Sequence, residues 1–287
     1  MAFLGIDAGA SSTKWALSDG HAIIASGSTE PMDGHIYREE SSERMDRVLK
    51  EIAQKVRGVR AIYFGITGIS AQTREAITKK ISERFVGARL ALMTDIELAY
   101  RAHFAPGEGI FLYAGTGSVA IHITKDNQVI QVGGWGYLLG DEGGGYWIGR
   151  EAIRRVLLKR DSGVDLGNFE NSILESMKAS TWDDIKSFVY SQNRSAIAAL
   201  TRKVFELAEK GDVDAQAILR NAGQQLALLV KTMNLRVLPG SISVVFAGGV
   251  SVENTYLWKT LEREIQYPLL PSKVVIAERA AQLAGSL

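Results

Sequence analysis

A pattern of three short strands and two tight turns occurs twice in this chain, and nothing else in the sequence constrains the fold as much. Residues 4–27 read LGIDAGASSTKWALSDGHAIIASG, and residues 111–134 read FLYAGTGSVAIHITKDNQVIQVGG. Each is an apolar run, an Ala-Gly-rich turn, an alternating run, an acidic turn and a third run. Apolar alternation with period two between turn residues predicts half-buried strands. The predicted strands are 3–6, 13–18 and 21–26 in the first copy, and 110–113, 119–124 and 128–132 in the second. Asp19-Gly20 reads as a two-residue hairpin turn, and Lys125-Asp126-Asn127 as a turn. An internal repeat fixes architecture. The expectation is an α/β protein of two related lobes, each a mixed sheet with helices, facing one another across a cleft. A length of 287 residues, beyond the usual single core, agrees with two domains.

The rest of each lobe follows from periodicity. Ser41 or Ser42 is placed to cap a helix in which Met45, Val48, Leu49, Ile52, Ala53 and Val56 recur on one face. Residues 61–66 form a continuous apolar run of the kind buried parallel strands show. A helix is expected over 71–85, a strand over 89–94 and a helix over 96–103. The second copy continues into helices over 151–160, 194–210 and 213–234, a buried strand over 243–247, and helices near 253–265 and 277–286. Arg154, Arg155, Lys159 and Arg160 cluster on the first of these and read as a solvated helix face. The segment FAPGEG at 104–109 is the best boundary. The expected lobes are therefore 1–106 and 107–287, with the last helix able to pack back on the first lobe.

Composition excludes several classes. Apolar residues are 46% of the chain and charged residues 23%, an ordinary globular balance rather than a disordered one. A formal charge of +1 gives no bulk attraction for nucleic acid or acidic membrane, so neither is an expected partner. The absence of cysteine removes disulfides, thiol catalysis, zinc–thiolate sites and cysteine-held iron–sulfur clusters. The start, MAFLGIDAG, has no basic n-region and no long apolar h-region. It enters a strand at once, leaving no room for an N-terminal helix-turn-helix. No run of eighteen apolar residues exists, so no membrane helix is expected, and a cytoplasmic protein is the simplest expectation. No motif encodes the oligomeric state; a homodimer is the commonest closed assembly.

Five segments carry candidate chemistry. In the first, Asp7-Ala8-Gly9-Ala10-Ser11-Ser12-Thr13-Lys14, small residues let backbone N–H groups approach an anion. The Thr13 hydroxyl and Lys14 ammonium add donors. Asp7 at the strand end is placed to hold Mg²⁺ through water; the alternative is an ordinary hairpin with a solvated Asp and Lys. The second, Gly115-Thr116-Gly117-Ser118, is the equivalent hairpin of the repeat, and two such hairpins facing one cleft suit a triphosphate chain. In the third, Ala247-Gly248-Gly249, two glycines after a buried strand suit either a flat ligand or a close helix crossing. In the fourth, Asp95 lies at the C-terminal end of a parallel strand, where open α/β sheets bind ligands. It is a candidate general base for a hydroxyl, or a helix N-cap. The fifth runs from Gly133 to Gly149 and joins two Trp, two Tyr and an acidic pair in a glycine-rich loop. Aromatic faces and carboxylates are what sugars bind, and a purely structural loop rarely needs this composition.

Taken in order, DAGASSTK, TDIELA, AGTGS, GGWGYLLGDEGGGYWIG and FAGGVS resemble the BadF/BadG/BcrA/BcrD-type ATPases over essentially the whole chain. This family includes N-acetylglucosamine and glucosamine kinases and belongs to the actin/hexokinase/Hsp70 superfamily. The GGWG…GDEG block is its most specific element. The resemblance implies two ribonuclease-H-like lobes with ATP and Mg²⁺ in the cleft. Gly9, Ser12, Thr13 and Lys14, with Asp7, match the first phosphate motif. Thr116, Gly117 and Ser118 match the second, and Gly248 and Gly249 the adenosine motif. Asp95 matches the catalytic base, and Gly134, Trp135 and Asp141 the sugar block. The implied activity is phosphorylation of the 6-hydroxyl of an amino sugar, a small-molecule partner. The loop GSTEPMDGH at 27–35 lacks the Asn that such kinases often place there for sugar, which bears on substrate identity. One branch of the family activates 2-hydroxyacyl-CoA dehydratases through a cysteine-ligated cluster, and the cysteine-free composition excludes it. The alternatives left open are an ATPase, a sugar-sensing kinase-like protein without phosphotransfer, or a kinase for N-acetylmuramic acid or glucose.

Overall fold

The structure is a computed structural model that describes residues 1–9, 11–237 and 243–287; Ala10 of the first hairpin motif lies outside the described residues. The chain divides into two compact units, one of residues 1–106 and 273–287, the other of residues 107–272.

The first unit begins with β1 (Ala2–Ala8), β2 (Thr13–Ser18) and β3 (Ile23–Thr29). It continues with α1 (Glu39–Lys55), β4 (Val59–Ile66), α2 (Ala71–Arg84), β5 (Arg89–Met93) and α3 (Asp95–His103). The second unit holds β6 (Ile110–Ala114), β7 (Ser118–Ile123), β8 (Val129–Gly133), α4 (Gly145–Asp161), α5 (Asn168–Met177), α6 (Trp182–Ser191) and α7 (Arg194–Ala199). It then adds α8 (Thr201–Glu209), α9 (Val213–Arg236), β9 (Val244–Ala247), α10 (Tyr256–Ile265) and β10 (Leu269–Pro271). The last helix, α11 (Ile276–Ala284), belongs to the first unit.

The duplication is real at the level of topology. The first sheet has the order β3-β2-β1-β4-β5, and the second, read from its other edge, β8-β7-β6-β9-β10. In both, the first three strands are antiparallel and the last two join in parallel. This is the α/β fold of actin-like ATPase lobes. The registers also correspond. Asp7 stands opposite Lys14 and Gly65, and Tyr113 opposite Val119 and Ala247.

In the first sheet, alternation along β1 sends Leu4 and Ile6 to one face and Gly5 to the other. Leu4 and Ile6 pack with Met45, Leu49 and Ile52 of α1 and Ile77 and Ile81 of α2. Gly5 receives α11 on the opposite face. A Cβ there would overlap the backbone of Ala277 and Ala281 and lie 2.8 Å from Ala280 Cβ. Small residues on both partners thus let the helix lie directly on the strand. In the second unit one core joins Ile110, Leu112 and Phe246 of the sheet with residues of α4 to α10. Among the described residues no helix is long and apolar enough to cross a membrane.

Several local expectations are corrected. The β2–β3 connection is the four-residue stretch 19–22, because Asp19 Oδ1 accepts from the N–H groups of His21 (2.8 Å) and Ala22 (2.9 Å). That side-chain turn delays β3 to Ile23. α1 starts at Glu39 without a side-chain cap. Ser41 lies inside it, buried, and donates to Asp33 at 3.3 Å. The stretch 194–210 is two helices, broken at Leu200. α5 and α6 were not anticipated. Arg154 pairs with Glu151 within α4, whereas Arg155 pairs with Asp214 of α9 and Arg160 donates to the Ser180 carbonyl, so the last two tie α4 to its neighbours rather than only facing solvent.

Candidate active site

In the first unit, the ends of β1, β4 and β5 bring Asp7, Thr67 and Asp95 together. Asp95 is the first residue of α3, and the cap is its neighbour. Thr94 accepts from the Glu97 N–H at 3.1 Å, so the N-cap alternative for Asp95 is corrected. Its carboxylate is therefore free of capping duty. It accepts from its neighbour's N–H, Ile96, at 3.0 Å and from the Thr67 hydroxyl. Burial pushes Asp95 above the usual carboxylate range, against those two donors. Asp7 is pushed up to about 6, mainly by burial and then by the charge of Asp95, with Lys14 opposing. A carboxylate whose proton affinity is raised by burial and by a neighbouring carboxylate favours a cation or a proton nearby.

The first hairpin supplies donors beside this pair. Gly9 donates to the Ser12 carbonyl at 3.1 Å. Lys14 is exposed, while Thr13 is fully buried and its hydroxyl has no hydrogen-bond partner. A buried hydroxyl without a partner costs free energy unless a ligand satisfies it. Among the described residues no three His, Asp or Glu side chains group into a metal cage. The donor set, two hard oxygen carboxylates and little else, fits Mg²⁺, which keeps several waters and takes few protein ligands.

A second loop closes on the same strand ends and was missed by the sequence. Asp33 accepts from the His35 N–H (2.9 Å) and sits 3.0 Å from His35 Nδ1. The Gly34 N–H donates to the Thr67 carbonyl at 2.8 Å. Gly68 has φ +71°, and a Cβ there would strike the His35 ring. Only the Asp-Gly-His order in 33–35 hinted at such a tether, and the expected Asn gave no guide to it.

In the second unit, Thr116-Gly117-Ser118 turns between β6 and β7 and is pinned from beneath. Gly115 and Thr116 carbonyls accept from the N–H groups of Gly145 (2.8 Å) and Tyr146 (2.9 Å) at the start of α4. Ser118 departs from its expected phosphate role: its hydroxyl donates to the Glu142 carbonyl at 2.7 Å and its N–H to the Asp141 carboxylate. Both groups are engaged within the chain. Asp141 adopts φ +65°, a conformation that costs a non-glycine residue free energy and clusters at functional sites. Its carboxylate lies on the Gly117 backbone, where no Cβ would fit. Burial raises its pKa, opposed by the Ser118 and Gly136 N–H groups and by Arg194.

The glycine-rich segment is shorter than expected. α4 begins at Gly145, so Tyr146 and Trp147 are helical and pack against the core. They are structural aromatics, not free sugar platforms. Gly149 is a packing glycine too, since a Cβ would meet the Ile197 backbone. Trp135 remains 71% exposed on the loop after Gly134, whose N–H donates to the Ser118 carbonyl at 2.9 Å. The two glycines after β9 divide the two expected roles. Gly248, at φ +103°, is pressed against Ala114, whereas a Cβ on Gly249 would meet nothing within 4 Å. Gly248 serves packing, and Gly249 leaves open backbone.

Residues 4–286 match the sequence pattern of the BadF/BadG/BcrA/BcrD ATPase family. The chain belongs to that family. Its relatives within the family include an N-acetylmuramic acid/N-acetylglucosamine kinase from Clostridium acetobutylicum, 28% identical over 92% of this chain and 91% of the relative. An N-acetyl-D-glucosamine kinase from Dictyostelium discoideum is 24% identical over 80% and 78% of the two chains. Among solved structures, a protein proposed to be an N-acetylglucosamine kinase from Porphyromonas gingivalis superposes with a TM-score of 0.78. It is 20% identical and covers 98% of this chain and 97% of its own. That likeness carries the fold.

Proposed function

We propose that this family member is an ATP-dependent sugar kinase that phosphorylates the 6-hydroxyl of an amino sugar, N-acetylglucosamine or glucosamine. The observation that carries the reading is Asp95, a half-buried carboxylate released from capping by Thr94 and oriented by the Ile96 N–H and the Thr67 hydroxyl. A base of this kind takes the proton of the attacking hydroxyl. Its raised pKa brings it nearer the operating pH, which suits general base catalysis. The names of the two relatives, both amino-sugar kinases, support the same reaction class.

The residues divide the work by chemistry. Ser12, Thr13 and Lys14 bind phosphate oxygens, with the unpartnered Thr13 hydroxyl and the Lys14 ammonium as donors, and Gly9 holds the turn through its N–H to the Ser12 carbonyl. Thr116 and Gly117 belong to the equivalent phosphate-type turn of the second unit. Gly249 leaves backbone open to the adenosine, with Gly248 holding the turn. Asp7, beside Asp95, would hold Mg²⁺ through water, and that ion supplies charge neutralisation when bound. Phosphoryl transfer is mostly positioning and electrostatics, so little covalent chemistry is asked of the protein. Asp141 accepts hydroxyl hydrogen bonds from the sugar. Trp135 offers its exposed face to the sugar's C–H surface, with the backbone of Gly134 alongside.

The test is ADP release from ATP-Mg²⁺ across a panel of hexoses and amino sugars. Release that rises with an amino sugar and saturates is the expected result. Release indifferent to every sugar would instead mark an ATPase. N-acetylmuramic acid belongs in the panel, because the Clostridium relative's name includes it.

A further inference from the structure

Arg194 is the first residue of α7 and is exposed. Its Cζ lies 5.2 Å from the centroid of the Tyr137 ring. Tyr137 in turn meets Tyr146 edge-on at 5.0 Å between centroids, and Tyr146 is anchored in α4 against the core. The guanidinium is therefore seated by a cation–π contact on a supported ring rather than left to wander. The Asp141 carboxylate is close enough to interact with it electrostatically. Among the described residues Arg194 forms no ion pair, and the Ser118 and Gly136 N–H groups hold Asp141 against the Gly117 backbone. Among the described residues Arg194 has no carboxylate or carbonyl acceptor. The N–H donors of this planar fork thus stand beside Asp141, the proposed sugar-binding carboxylate, with no acceptor among the described residues.

We infer that Arg194 is a specificity residue that receives a carboxylate borne by the sugar, so that a carboxylate-bearing amino sugar binds the same site more tightly than N-acetylglucosamine does. The inference rests on the sugar-kinase reading and deepens it. Asp141 accepts from sugar hydroxyls and cannot serve an anionic substituent, whereas an arginine fork matches a carboxylate with two parallel hydrogen bonds. The carboxylate of the lactyl ether on N-acetylmuramic acid is a substituent of this chemistry, and N-acetylglucosamine is the same ring without it. Discrimination of this kind comes from one added attractive pair.

The experiment compares KM for N-acetylmuramic acid and N-acetylglucosamine in the wild-type protein, Arg194→Ala and Arg194→Lys. The expected result is a rise of about 10- to 100-fold in the ratio of the two KM values for Arg194→Ala, the loss of a charge-assisted pair. Arg194→Lys, which keeps the charge and loses the fork, falls between. With the methyl ester of N-acetylmuramic acid, the ratio to N-acetylglucosamine is the same in Arg194→Ala as in wild type. An unchanged acid-to-neutral ratio in Arg194→Ala overturns the inference while leaving the kinase reading intact. If wild type phosphorylates neither sugar, the kinase reading fails instead. The ratio of dissociation constants for the same two sugars, measured by calorimetry, then decides Arg194: a matching rise supports it, and an unchanged ratio or no binding of either sugar overturns it.

Discussion

At the scale of single residues, the account turns on two carboxylates in different circumstances. Asp95 is oriented by an N–H and a hydroxyl, and burial raises its pKa. Replacing it by Asn keeps its shape and removes its basicity. Asp95→Asn should lower kcat by about 10²- to 10⁴-fold, with sugar affinity by calorimetry close to wild type. Full activity in that variant would reduce Asp95 to a helix residue. Asp7 has the larger consequence for stability. Its folded pKa of about 6 lies above its ordinary value of 3.8, so the folded state holds this proton more tightly than the unfolded chain does. Its contribution favours folding below about pH 4 and is lost as pH rises through 6. With divalent ions chelated, Asp7→Asn should therefore raise Tm at pH 7.5 and change it little at pH 4; equal Tm values at pH 7.5 would show that Asp7 carries no such burden. Trp135→Ala should raise the sugar KM by about 10-fold or more with little effect on the ATP KM, and leave Tm unchanged, since the ring is 71% exposed. Equal effects on both KM values would count against the sugar role.

At the scale of elements, the sequence shows most where period and turn chemistry agree. The β1–β2–β3 and β6–β7–β8 repeats were legible because alternation, Ala-Gly turns and acidic turns recur in the same order. The start of α4 was not legible. Gly145 and Gly149 read as loop residues, yet they are glycines because Gly115 and Ile197 leave no room for a Cβ. Close packing and ligand approach leave the same letter in a sequence. Thr67 and Arg194 were missed for another reason: neither sits in a motif, and only the fold brings one to Asp95 and the other to Asp141. The α11–β1 contact shows how far such packing constrains sequence. A side chain at Gly5 must displace the helix, so Gly5→Val should destabilise the protein by about 1–3 kcal/mol, the usual cost of overpacking. Chemical denaturation would show it as a lower midpoint with the slope retained; an unchanged midpoint would mean that α11 is not held against β1.

At the scale of the whole molecule, two units of one topology have been given different tasks. The first keeps an acidic residue, Asp7, where the second has Tyr113 at the matching register position. The second keeps the loop with Trp135 and Asp141, for which the first has the loop holding Asp33 and His35. The duplicated sheets explain why an Ala-Gly-rich hairpin occurs in both, and the unequal insertions explain why the proposed base and the proposed sugar residues do not. Family membership across residues 4–286 fits this division, since a fold is a common frame and function lives in the sites grafted on it. The central claim is transfer of a phosphoryl group to a sugar hydroxyl. It is tested most directly by incubating the protein with ATP-Mg²⁺ and an amino sugar and following the product by phosphorus and carbon NMR. The account predicts a sugar phosphate substituted at C6, formed by the wild type and suppressed in Asp95→Asn. Inorganic phosphate as the sole product, formed equally by both, would contradict it.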